Sequence, residues 1–160
     1  MPASQVLSAD TIRVMRHLVA TIAFRSSRAI RGAPPGFEGV RLAEGGMSAQ
    51  ELLLHMSHVM AFAYATVTHT ERAALDPRDW PGEVDRLYSL LGEIDAKLGA
   101  GVSLEPGLDL KLVQGPLADA LTHVGQLMSM RRKAGAAVPG ANFMKADIQI
   151  GRIALDDQMD

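Results

Sequence analysis

Four segments of the chain each carry one apolar stripe with spacings of three and four residues, and each runs for roughly 18 to 25 residues. A helix with a single apolar face must bury that face against another element. Four such helices in succession do so as an all-α, up-down-type four-helix bundle, here a single domain spanning residues 1–160. In the first segment, Ser8 to about Ile30, the stripe is Ile12, Met15, Leu18, Val19, Ile22 and Ala23. The second uses Leu52, Leu53, Met56, Val59, Met60, Ala63 and Val67. The third has the most regular pattern, Val84, Leu87, Tyr88, Leu91, Ile94 and Leu98, and the fourth turns Leu117, Leu121, Val124, Leu127 and Met128 inward.

Start and stop signals bound these segments. Ser48 and Glu51, three residues apart, form a capping-box pattern that opens the second helix, which runs to about Thr70. Asp79 followed by Pro81 opens the third, and Gly99 and Gly101 close it. Pro116 suits the first turn of the fourth helix, because its missing N–H has no intrahelical partner there. Residues 31–47 contain five glycines and two prolines with no surviving period, and form a long first connection. Residues 102–115 read as a connector in which Leu108, Leu110, Leu112 and Val113 lie extended against the bundle. The tail carries one short C-terminal helix over residues 141–151.

Composition narrows the chemistry. The chain has no cysteine, which removes disulfides, thiolate metal sites and a cysteine nucleophile, so any thiol chemistry uses an external thiol. Its formal charge of −2 argues against a phosphate-tracking surface and therefore against a nucleic-acid partner. Charges at Asp10, Arg13 and Arg16 interrupt the apolar run a secretory signal needs. No stretch approaches the ~20 apolar residues of a membrane span, so the expectation is a cytoplasmic protein without a membrane partner.

The residues suited to chemistry lie on two helices. Asp119 and His123 are four apart, so both project from one face of the fourth helix. Gln126 and Met130 extend that polar seam. On the second helix His55 lies at the edge of the buried stripe, better placed to look inward than His58. Bundle metal sites draw ligands from facing helices, which makes His55, Asp119 and His123 a candidate set. Two imidazoles and one carboxylate leave coordination positions open, as catalytic metal sites do. Nitrogen and oxygen ligands without sulfur fit zinc, iron(II), nickel or manganese, any of which lowers the pKa of water or a thiol that it binds. The bland alternative is a non-catalytic bundle, a binding or stress-associated module, in which Asp119 and His123 merely pair. Helix-mediated assembly with another protein is a third reading.

ELLLHMSHVM at 51–60 and GPLADALTHVGQLMSMRRKAG at 115–135 resemble the two signature helices of DinB-like (YfiT-like) proteins, helix for helix over most of the chain. The resemblance implies a small four-helix bundle, a homodimer and a divalent metal. His55 matches the family's histidine on the second helix, and His123, followed by Val124-Gly125-Gln126, matches the last. Asp119 stands where a histidine is usual, which shifts the site toward harder ions. Members with activity are similar to metal-dependent transferases and isomerases that use a small thiol, which implies the same here, with a small-molecule ligand and a transferase or hydrolase reaction.

Other residues carry two readings each. Arg131, Arg132 and Lys133 either complement the helix C-terminus or, at Arg131, bind a ligand carboxylate. Asn142, Phe143 and Lys145 either cover the site mouth or form a surface turn. His17 and His69 are surface groups, and Trp80 anchors the start of the third helix.

Overall fold

The computed structural model describes residues 3–155, and it is an all-α helical bundle. A two-residue strand, β1 (Gln5–Val6), leads into α1 (Ala9–Ile30), followed by a 3-10 turn at Phe37–Gly39 and α2 (Ala49–Thr68). Then come α3 (Trp80–Gly99), β2 (Ser103–Leu104), α4 (Leu108–Leu112), a π-helical turn at Val113–Leu117 and α5 (Ala118–Lys133). No helix among the described residues is long and apolar enough to cross a membrane.

The starts obey local chemistry. Ser8 Oγ accepts from Thr11 N at 3.1 Å, and Asp79 Oδ1 accepts from Gly82 N at 3.0 Å, each satisfying an orphan donor of the first turn. At α2 the capping box is complete: Ser48 Oγ accepts from Glu51 N, and Glu51 Oε2 accepts from Ser48 N at 2.7 Å. Trp80 meets Phe37 edge to face, with ring centroids 5.5 Å apart, which anchors the start of α3 on the long first connection.

The stripes close on one core that includes Ile22, Leu53, Met56, Leu87, Leu91 and Leu127. α1 packs on α3 and α5, and α2 packs on the same two, so residues 31–47 carry the chain across the bundle rather than to a neighbouring helix. Arg16 ties α1 to α3 through a two-pronged pair with Asp95, at 2.9 and 2.8 Å.

Four features differ from the sequence expectation. Residues 108–112 are helical rather than extended, entered through Gly107 at φ 79° with no side-chain cap. Pro116 therefore does not start a helix. It lies inside a continuous helical path, where the wider π turn accommodates a residue that has no N–H to donate. β1 and β2 form an antiparallel ladder, Gln5 opposite Leu104 and Val6 opposite Ser103, too short to leave an alternating pattern.

Residues 141–151 form turns, not a helix. Asn142 Oδ1 accepts from Met144 N at 3.1 Å, and Asp147 accepts from Gln149 Nε2 and Arg152 Nη1. Such local side-chain bonds compete with helix formation. Phe143 anchors this segment on α1, edge to face with Phe24 and 3.8 Å below the Arg25 guanidinium.

Candidate metal centre

His55 comes from the middle of α2, and Asp119 and His123 from the first two turns of α5, two helices that pack directly on each other. Their ligand atoms all lie within 4.8 Å of one another. Asp119 Oδ2 is 3.3 Å from His123 Nε2 and 3.9 Å from His55 Nε2. The two imidazoles meet edge to face, with centroids 4.7 Å apart. Ligands about 2.1 Å from one ion stand roughly 3 to 3.4 Å apart, so the Asp119–His123 span already suits a shared cation. His55, with Nε2 3.9 Å from Asp119 Oδ2, stands further off and must move inward to share it.

The cluster grades from exposed to enclosed. The Asp119 side chain is 46% exposed and that of His55 38%, whereas that of His123 is only 14% exposed. Gln126, one turn further along α5, lies with Oε1 2.7 Å from His123 Nδ1. A carboxamide oxygen only accepts, so Nδ1 is the donor in this contact, and in the neutral ring the lone pair then lies on Nε2. That Nε2 is sealed from solvent and has no hydrogen-bond partner among the described residues, its approach to Asp119 lacking hydrogen-bond geometry. A buried imidazole lone pair without a partner is costly in a protein interior, and a cation in the cluster would satisfy it.

Burial pushes the His55 pKa below the usual histidine value. His123 and His58 add to that shift and the Asp119 carboxylate opposes it. The neutral imidazole is the ligand form, so the 3.9 Å approach of His55 to Asp119 is not an ion pair at neutral pH.

A cavity of about 650 Å³ opens onto His55 and Asp119, bounded also by His58, Val59, Phe62 and Arg72. Its remaining edge is the π turn and the start of α5, from Gln114 to Pro116 and on to Thr122. The structure thus brings the three residues singled out by spacing together, with His55 and Asp119 at the edge of this open chamber and His123 enclosed behind them.

Arg131 sits elsewhere. Buried to 6% exposure, it donates from Nε to Ala136 O, from Nη1 to Ala29 O and Arg31 O, and from Nη2 to Gly32 O, at 2.7–3.0 Å. Its guanidinium is occupied by carbonyls at the ends of α1 and α5, which favours the helix-end reading over a carboxylate site there. Asn142, Phe143 and Lys145 do not border the 650 Å³ cavity, so the tail forms surface turns and does not cover its mouth. His17 is exposed, and His69 is an exposed cap of α2 whose Nε2 lies 2.8 Å from Ser103 O.

Sequence reasoning missed two residues at this site. Gln126 was legible as part of the polar seam but not as the group that orients His123, and Arg72 lies in an irregular connection with no periodicity to mark it. Compared with models of known protein families, with curated proteins and with solved structures, the chain finds no match.

Proposed function

We propose that this bundle is a DinB-like, divalent-metal-dependent enzyme, a transferase or hydrolase that activates a small thiol or water against a small-molecule electrophile. The observation that carries the reading is the His123 imidazole: its Nδ1 is fixed by Gln126, while its buried Nε2, without a hydrogen-bond partner among the described residues, lies beside Asp119 and within reach of His55.

His55, Asp119 and His123 would hold zinc, nickel, iron(II) or manganese, and a bound ion supplies Lewis acidity that keeps a thiol or water nucleophilic near neutral pH. The protein's own residues do the rest. Gln126 fixes the tautomer of His123, and burial keeps His55 neutral. The Val59, Phe62 and Pro116 surfaces exclude water on one side of the cavity, while its open side admits a ligand. With no cysteine in the chain, a thiol nucleophile comes from outside. The same reading carries a homodimer in the cytoplasm, which sedimentation velocity and cell fractionation would test.

Elemental analysis of protein purified without a nickel column tests the metal. About one divalent ion per chain is expected, and it should be lost in the His55→Ala/His123→Ala variant. Equal, negligible metal in both would refute the reading. The 3.3 Å Asp119–His123 contact also fits a non-catalytic module in which the two simply pair. That alternative predicts the same melting temperature with and without chelator, whereas a ligand at 100 times its dissociation constant stabilises the fold by about 2.7 kcal/mol.

A further inference from the structure

The cavity beside the His55–Asp119–His123 cluster has a cation at its edge that the metal reading does not use. Arg72 borders it from the connection between α2 and α3. Among the described residues its guanidinium has neither a hydrogen bond nor an ion pair. A solitary surface arginine is ordinarily just solvated, but this one borders a concave chamber and sits on a segment fixed at both ends.

At the α2 end, Thr70 N donates to Ala65 O at 3.0 Å, and the Thr68 and Thr70 hydroxyls pair at 2.8 Å. At the α3 end, Arg86 donates to Asp76 O at 2.7 Å, Arg78 N donates to Glu83 Oε1 at 2.7 Å, and Gln50 Nε2 donates to Arg78 O at 2.5 Å. Glu83 and Arg86 are themselves buried, so the connection is clamped to the body of the bundle.

The rest of the chamber is two-faced. Val59, Phe62 and Pro116 supply apolar surface, and Phe62 is a large apolar side chain left 50% exposed. Asp119 is the one carboxylate among the described residues bordering the cavity, and a divalent ion beside it would reverse its local sign, leaving the chamber net positive. A planar guanidinium fork without a partner matches a carboxylate with two parallel hydrogen bonds, a geometry an ammonium or imidazolium lacks.

We propose that this cavity selects a small carboxylate with an apolar body. Arg72 holds the carboxylate, and Val59, Phe62 and Pro116 receive the body. This rests on reading the adjacent cluster as the reaction centre, so the test uses both zinc-loaded and chelator-treated protein and lets the two ideas fail separately.

The probes are phenylacetate, its neutral isostere phenylacetamide and inorganic phosphate, titrated calorimetrically. Zinc-loaded protein should bind phenylacetate about tenfold more tightly than phenylacetamide, the worth of one charge-assisted hydrogen-bond pair at a half-open site. Arg72→Gln should abolish that preference while keeping zinc content and melting temperature, because the side chain supports no other part of the fold. Phe62→Ala should weaken both aromatic probes alike. Retention of the carboxylate preference in Arg72→Gln would overturn the proposal by placing the carboxylate on the metal ligands or His58. Phosphate binding as tight as phenylacetate would also overturn it, since the apolar wall would then contribute nothing. If the protein takes up no zinc, the cluster reading fails, and the chelator-treated protein still decides: an Arg72-dependent preference for phenylacetate supports the proposal, and its absence overturns it.

Discussion

Gln126 Oε1 lies 2.7 Å from His123 Nδ1, one turn apart on α5, so the side chain that orients the most enclosed ligand candidate comes from the same helix as the ligand. Removal of a group that fixes a ligating histidine typically lowers metal affinity about 10- to 100-fold. Gln126→Ala should do so with little change in the stability of chelated protein, because Gln126 is exposed. Competition against a chromophoric chelator measures it. Unchanged affinity would show that His123 needs no such brace.

His55 gives a pH dependence of known sign. Its pKa is depressed in the fold, so the unfolded chain takes up a proton more readily there. The stability that the neutral imidazole contributes is complete above the unfolded value of about 6.5 and is lost as pH falls through the folded one. In chelated protein the urea midpoint should therefore drop as pH falls below about 6.5, and His55→Asn should shrink that drop. An equal drop in both proteins would assign it to other groups.

Arg131 carries a structural prediction. Arg131→Ala leaves the carbonyls of Ala29, Arg31, Gly32 and Ala136 without their donor, and the loss should be about 3 kcal/mol, read from chemical denaturation. Arg131→Lys should recover only part of it, because a single ammonium cannot span carbonyls on two chain segments. Metal content should not change in either variant.

The start of α2 offers an independent check. Ser48→Ala removes the acceptor for Glu51 N and should cost about 1 kcal/mol. The Ser48 backbone N–H, and after it Arg41, hold the Glu51 carboxyl at about 2, below its ordinary 4.5. The contribution of that carboxylate is complete above its ordinary value and fades as pH falls toward about 2, so Glu51→Gln should flatten the acid limb of a stability profile.

Much of this fold is written in short-range chemistry. Ser8, Ser48 and Asp79 mark helix starts because each must satisfy a first-turn N–H from within three residues, and that requirement is visible in any sequence. The stripe from Val84 to Leu98 is equally local. What escaped detection depends on context beyond the segment itself. Leu108–Leu112 looks extended because leucine alternates there with Asp109 and Lys111, yet the segment is helical and runs directly into the π turn and α5. The register of Gln5 with Leu104 joins residues almost a hundred positions apart, and two residues per strand leave no period to read.

The site divides in the same way. Asp119 and His123 stand out because four residues make about one helical turn, and His55 because it borders a stripe. Arg72 lies where the chain has no repeat, and only the packing of its connection brings it to the cavity. Arg131 illustrates the converse: a cation near a helix end invites a ligand, but only the folded chain reveals that four carbonyl contacts already occupy it.

The wide turn at Val113–Leu117 has a consequence for aim. A π turn holds one residue more than the α turn it replaces, and each residue in an α-helix advances the side-chain direction by about 100°. Asp119 begins only two residues beyond that turn, so the bearing of its carboxylate, and of the histidine one coil later, is dialled in upstream by Pro116 and its neighbours. Excising a single residue there would swing both groups away from α2 without altering either of them.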